Sequence, residues 1–287
     1  MTLASYRLRL MSLIVVSLLA LMVWFVPQSF PHEKASGLFE VHFLNVGQGD
    51  AILVESPDGA QLLIDGGRDG LVLSALAPKL GYFDRTIDVV IATHPDSDHI
   101  GGLVDVLARY QVGTVILTEN EKDTPAAQDF MKAVEGEGAQ IIFARAGAQY
   151  MLGASTTIHI LFPDRDPSGF ESNAASIITK VTYGATDLIL TGDSPRSIEE
   201  YLVRQYGPYL QSEILKLGHH GSDTSSSDVF LDAVAPQYAI VSAGRDNSYG
   251  HPHKEVVERV EERSIPMLKT EDGTITFLSD GTSLWQR

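Results

Sequence analysis

The segment that most constrains this chain runs from Asp88 to Gly102. Asp88-Val89-Val90-Ile91-Ala92-Thr93 is a continuous apolar run of strand length, the pattern of a β-strand covered on both faces. Four ionisable residues follow within six positions: His94, Asp96, Asp98 and His99. Ile100-Gly101-Gly102 then leads into helical spacing that ends near Tyr110. A doubly covered strand needs helices outside it, and the ionisable cluster can sit only where the chain leaves the sheet. The segment therefore demands an α/β fold with a chemically loaded loop at one end of a buried strand.

The remaining patterns extend this order. Strands over Phe39–Asn45, Ala51–Glu55 and Gln61–Asp65 precede a helix over Leu71–Leu80. After the helix Gly102–Tyr110 come strand Thr114–Leu117, helix Pro125–Glu137 and strand Gln140–Ala144. A second run of strands starts at Tyr150 and includes Thr156–Leu161, Ser176–Tyr183 and Asp187–Leu190. Helices Ser197–Tyr206, Ser226–Ala233 and Lys254–Arg263 then alternate with strands Glu213–Leu217 and Tyr238–Ser242. Met267–Thr270 and Thr274–Leu278 read as a closing hairpin. Strands followed by β/α units, twice over, fit a four-layer αββα sandwich of two facing sheets.

The N-terminus is of a different kind. Arg7 and Arg9 precede an apolar stretch over residues 10–26, broken only by Ser12 and Ser17. This is an export signal, expected as one hydrophobic helix, with everything after Pro27 outside the cytoplasm. No A-x-A cleavage site follows, so an uncleaved membrane anchor and a cleaved, secreted form both stand. The expected division is a signal or anchor with its linker over 1–36 and a catalytic body over 37–287. Beyond residue 26 the chain holds 19 basic against 37 acidic residues, a charge of −18. Such a body does not attract a polyanion through its overall field, so any phosphate site must be local. There is no cysteine, which excludes disulfides, thiolate metal sites and a cysteine nucleophile. No protein partner can be inferred.

A cluster of carboxylates and imidazoles is electrostatically costly unless cations occupy it. His94 and Asp96 are spaced to serve one ion, and Asp98 and His99 a second. Two further pieces close apolar strands: Thr191-Gly192-Asp193 and Lys216-Leu217-Gly218-His219-His220-Gly221-Ser222. They supply an aspartate to bridge two ions and a histidine to complete one shell. No G-x-S-x-G or other serine-nucleophile motif is present.

These residues resemble the metallo-β-lactamase fold, in particular its ComEC-like branch of extracytoplasmic hydrolases. Asn45-Val46-Gly47-Gln48-Gly49-Asp50-Ala51, Leu63-Ile64-Asp65-Gly66-Gly67 and Tyr249-Gly250-His251-Pro252-His253 match that branch as well. The resemblance covers Phe39 to about Leu278, without the many-helix part of a DNA-uptake channel. It implies two divalent ions, Zn or Mn. His94 and Asp96 would hold the first ion, Asp98 and His99 the second, Asp193 would bridge them, and His219 would complete the second site. His220 is the alternative to His219 and otherwise a catalytic residue beside it. Asp98 would also orient an attacking hydroxide, and His251 would contact phosphate or protonate a leaving group. Asn173 and Ser176 replace the fold's usual histidine, and with Ser222 and Tyr249 they are expected on the substrate side. Asp50 and Asp65 read as loop-fixing hydrogen bonders, His159 as structural, and His253 as a surface residue. His32 and His42 have no partner legible in the sequence.

The expected activity is an extracytoplasmic phosphoesterase acting on DNA or a phosphate-bearing envelope component. The competing readings are a hydrolase of a non-phosphate ester or lactone, and a non-enzymatic module for nucleic-acid uptake or envelope binding.

Overall fold

The computed structural model describes residues 36–81 and 83–287. The apolar stretch at residues 10–26 lies outside them. Among the described residues no helix is long and apolar enough to cross a membrane.

Strands β1 (Phe39–Phe43), β2 (Ile52–Glu55) and β3 (Gln61–Ile64) form an antiparallel meander. Parallel to β3 run β4 (Thr86–Ala92), β5 (Gln111–Leu117) and β6 (Gln140–Phe143), joined by helices α1 (Leu71–Leu76), α2 (Ser97–Arg109) and α3 (Pro125–Glu137). The second sheet starts antiparallel with β7 (Gln149–Leu152), β8 (Thr156–Phe162), β9 (Ile178–Tyr183) and β10 (Thr186–Leu190). It continues in parallel with β11 (Ile214–Lys216), β12 (Tyr238–Val241) and β13 (Met267–Lys269), joined through α4 (Arg196–Tyr206), α5 (Asp228–Val234) and α6 (Lys254–Glu262). The chain then returns to the first sheet, where β14 (Ile275–Ser279) pairs with β1 and β15 (Leu284–Gln286) with β14.

This is the expected four-layer order. Phe39, Val41 and Phe43 of β1 pack with Leu188, Leu190, Ile214 and Phe277 between the sheets. Leu53, Leu63 and Val90 meet Leu103, Val106 and Phe130 on one outer face, and Ile189 and Leu215 meet Leu202, Phe230 and Val256 on the other. The period-2 alternation fixes register, because a one-residue slip would exchange the two faces.

Two boundaries differ from the sequence reading. The closing hairpin does not form: Met267–Lys269 pairs with β12 in the second sheet, whereas Ile275–Ser279 pairs with β1 in the first. Gly273, at φ 137°, lies in the crossing segment, in a conformation open chiefly to glycine. Helix α2 begins at Ser97, five residues before the expected start, so Asp98 and His99 lie in its first turn. The helix runs very close to the residues after β3. A Cβ on Gly101 would stand 2.1 Å from Arg68 O, and one on Gly102 2.1 Å from Gly66 O. Those glycines let the ligand-bearing turn sit against the loop that carries Asp65.

Candidate metal centre

The residues that follow β3, β4, β10, β11 and β12 meet in one buried cluster. Asp65, just past β3, accepts from the Thr93 N–H at 2.8 Å and from the Thr93 hydroxyl at 2.7 Å, tying two strand ends together. Its Oδ2 also lies 2.8 Å from His99 Nδ1. The Nδ1–H of His99 is thereby committed to Asp65, and Nε2 presents a lone pair. The Thr93 hydroxyl proton is already spent on Asp65. The contact of Thr93 Oγ1 with His94 Nδ1, 3.0 Å, therefore runs from His94 as donor and leaves its Nε2 bare. His220 Nδ1 donates to Ser242 O at 2.8 Å, which frees a third Nε2.

These three nitrogens converge on Asp193. His99 Nε2 is 3.3 Å from Asp193 Oδ1, and His94 Nε2 is 3.9 Å from Oδ2. His220 Nε2 is 3.4 Å from Asp193 Oδ2 and 3.4 Å from Asp98 Oδ2. All three Nε2 atoms and Asp193 Oδ1 are buried without a hydrogen-bond partner. Charge-assisted hydrogen bonds settle at about 2.7–2.9 Å. Two ligands each roughly 2.0–2.1 Å from one tetrahedral ion lie about 3.3 Å apart. The separations of His220 Nε2 from Asp98 and Asp193, and of His99 Nε2 from Asp193, are those of paired ligands on a cation, and the donor set suits a divalent one. Asp50, His99, Asp193 and His220 can also bring one ligand atom each within 4.8 Å of one another.

Of the adjacent histidines, the structure places His220, not the expected His219, deepest against Asp193 and Asp98. His219 (φ 46°, ψ 48°) and His220 (φ 56°, ψ 23°) are consecutive left-handed residues. Such a backbone costs about 1–3 kcal/mol per residue and persists where surrounding contacts enforce it. It turns His220 inward, with 1% of its side chain exposed, and leaves His219 at the rim with 28%. His219 Nδ1 bonds Thr224 Oγ1 at 3.0 Å, and its Nε2 is 3.8 Å from Asp193 Oδ2, no farther than His94 Nε2, so exposure and not distance sets it apart.

Asp96 also departs from its expected place. Its Oδ1 takes the Lys122 ammonium at 2.8 Å and the Ser172 hydroxyl, so a neighbouring loop supplies the cation that a first metal would provide. The position built on Asp98, His99, Asp193 and His220 is therefore well furnished, and the one beside His94 is sparse.

Of the residues expected on the substrate side, Ser176 accepts the Asp193 backbone N–H at 3.1 Å and so holds the turn that carries Asp193. Asn173 Nδ2 lies 3.5 Å from the His219 ring. Ser222 accepts from Thr224 inside the loop. Tyr249 is exposed and stacks on His251, whose ring stands between those of His219 and His253. His159 bonds Tyr209 instead of joining the cluster.

The sequence reading missed Lys216. It is fully buried, ion-paired to Asp50, donates to Gly192 O at 3.0 Å, and stands 3.7 Å from Asp193 Oδ1. The available signal was a lysine inside the apolar strand Ile214-Leu215-Lys216-Leu217.

The electrostatics follow from this packing. Burial opposes charge on His99 and His220, but Asp193 and its neighbouring carboxylates outweigh it and hold both imidazoles well above the usual range. Burial also opposes charge on Asp193, and His220 and His99 outweigh it, holding that carboxyl well below its usual range. Burial, reinforced by repulsion from His99, pushes His94 down to about 4. His251 is likewise pushed down to about 4, by burial and then by His220, His219 and His253. Without a metal, protons on His99 and His220 compensate the carboxylates, so a metal and protons compete for the same lone pairs.

The sequence pattern of the Metallo-beta-lactamase superfamily matches residues 44–245, and the chain belongs to that superfamily. That span takes in every element of the cluster from Asp50 to Ser242. Over 264 residues, 91% of the chain, the protein is 32% identical to Competence protein ComA of Neisseria gonorrhoeae. Over 273 residues, 89% of the chain, it is 29% identical to ComE operon protein 3 of Bacillus subtilis (strain 168). These relatives are ComEC-like, and the chain spans about a third of their length, 35% and 34%. The metallo-beta-lactamase fold protein YhfI from Bacillus subtilis shares the fold at 13% identity and a TM-score of 0.53, covering 80% of this chain and 95% of that one.

Proposed function

We propose that this protein is a metal-dependent hydrolase of phosphate esters that works outside the cytoplasm. One observation carries the reading: three buried imidazole Nε2 atoms and one carboxylate oxygen converge without hydrogen-bond partners. Leaving such groups unmet is costly, and a divalent cation meets them all. Divalent ions in this cluster would supply Lewis acidity and water acidic enough to lose a proton near neutral pH. The protein's own part is to hold the ligands. Asp65 and Ser242 aim His99 and His220, Ser176 sets Asp193, and Lys216 anchors Asp50 beneath them. Neutral His251, with an unpartnered Nδ1 at the rim, is placed to take or return a proton.

The geometry also supports a direction of entry. A cavity of about 890 Å³ adjoins His94 and Pro95, but Phe130, Met131 and Phe143 share its wall with Glu119, Glu121, Asp123 and Glu135. That acidic wall repels a phosphate. The face bearing His219, Asn173, Thr224 and Tyr249 has Asp223 paired with His253, and the ester enters there in this reading. The names of the competence relatives favour DNA among phosphate-bearing substrates; a phosphate-bearing envelope component fits the same chemistry. Export rests on Arg7, Arg9 and the apolar stretch at residues 10–26. The test is hydrolysis of a chromogenic phosphodiester and of single- and double-stranded DNA by metal-reconstituted protein. Turnover lost with chelation and restored by Zn²⁺ or Mn²⁺ is expected. A fully metallated protein inert on every phosphate ester would overturn the reading.

A further inference from the structure

A second group of ionisable side chains lies inside the protein, on the face of the first sheet opposite the inter-sheet core. Phe39, Val41 and Phe43 of β1 point into that core, so Glu40 and His42 point the other way. There they join Glu55 of β2, which is the direct cross-strand neighbour of Glu40. Glu40, His42 and Glu55 are only 6%, 2% and 5% exposed. Like charges directly opposite on adjacent strands destabilise a sheet, and burial makes the cost larger. The Glu40 side chain makes no hydrogen bond among the described residues, and its carboxylate lies 3.6 Å from His42 Nε2. The same nitrogen lies 3.2 Å from Glu55 Oε2. One imidazole nitrogen thus faces two largely buried carboxylates and is in hydrogen-bond range of only one of them.

The geometry points to a second metal site here, distinct from the catalytic cluster, that takes a divalent cation through His42 Nε2, Glu40 and Glu55. Those three ligand atoms lie within 4.8 Å of one another. Separations of 3.2 and 3.6 Å bracket the roughly 3.3 Å edge expected for ligands about 2.0–2.1 Å from a tetrahedral ion. His42 Nδ1 sits 2.9 Å from Thr276 Oγ1 on β14, which also accepts from Lys79 at 3.2 Å. With a cation on Nε2, Nδ1 would carry the proton and give it to this threonine oxygen, as ligating histidines do with their outer partners. One nitrogen and two carboxylate oxygens suit Zn²⁺, and water completes the fourth position. Shared by β1 and β2, a cation there would cross-link two strands of the first sheet and keep one position open to water. This inference does not rest on the proposed hydrolase activity.

The experiment uses the full chain, stripped with chelator and reloaded with Zn²⁺. Anomalous scattering at the zinc edge from crystals of the loaded protein should show a peak beside His42 Nε2, separate from those near Asp193. Its absence while the Asp193 cluster is filled overturns the site. In solution, an Asp98→Ala/Asp193→Ala protein should retain about one equivalent of zinc, and adding Glu40→Gln should remove it. Zinc retained in full after Glu40→Gln overturns the assignment. Glu40→Gln keeps the shape of the side chain, which makes no hydrogen bond among the described residues, so the substitution is mild. Saturating zinc should raise the melting temperature of the Asp98→Ala/Asp193→Ala protein by about 5 °C or more, and that rise should vanish with Glu40→Gln.

Discussion

Two buried clusters of carboxylates and imidazoles occur among the described residues, and they are built in opposite ways. The Asp193 cluster hangs from loops at the ends of parallel strands. It includes left-handed backbone at Asp65, His219 and His220, and leaves three imidazole nitrogens unmet. The Glu40–His42–Glu55 cluster sits on straight antiparallel strands, with neither strained backbone nor unmet imidazole nitrogen. The first also carries an outer layer of Asp65, Ser176, Lys216 and Ser242 that aims its ligands, whereas the second has Thr276 alone for its histidine. Backbone strain and an aiming layer distinguish a site organised for chemistry from one that holds strands together.

Breaking the first cluster should have the largest effect. Asp98→Ala is expected to leave the fold intact while lowering turnover by about 10³-fold or more, roughly 4 kcal/mol, measured at saturating metal on a chromogenic ester. Lys216→Met tests the aiming layer. It strands Asp50 as a buried charge without its cation, and should cost about 3–5 kcal/mol in denaturant titrations of the metal-free protein.

His251→Ala separates the rim from the ligands: metal content should stay at wild type while turnover falls by about 10²-fold or more. Metal lost from His251→Ala would move that histidine into the coordination shell.

The pH dependence sharpens the contrast between metal and protons. His99 and His220 have folded pKa values raised above the unfolded value of about 6.5. Their contribution to metal-free stability is fully present below that value and is lost as pH rises through the folded values. Melting temperatures of chelated protein should therefore fall at alkaline pH, and metal should restore them most at high pH. Stability independent of pH across that window would contradict the proton–metal exchange. The smallest effect belongs to Lys122→Ala. Its partly exposed pair with Asp96 should be worth about 0.2–1 kcal/mol, read as a small change in the unfolding midpoint that shrinks with salt.

Much of the first cluster could be read from residues 94–99, Gly192-Asp193 and His219-His220, because apolar strands end there and ionisable residues begin. The choice between His219 and His220 could not, since it depends on two left-handed backbone residues that no local pattern announces. The turn of Asp96 toward Lys122 was hidden for a related reason: the competing cation comes from 26 positions away. His42 has no partner legible in the sequence because Thr276 and Glu55 reach it only across strand pairings, 234 and 13 positions away. Met267–Thr270 and Thr274–Leu278 look like a hairpin because the return to the first sheet is a long-range pairing with β1, over two hundred residues earlier.

The central claim is that His220, turned inward by a strained backbone, completes a metal position with Asp98, His99 and Asp193. Metal content of His220→Ala and His219→Ala, loaded and washed side by side, tests it directly. The account predicts that His220→Ala loses one equivalent relative to wild type and that His219→Ala keeps them all. Loss from His219→Ala with full retention in His220→Ala would contradict it.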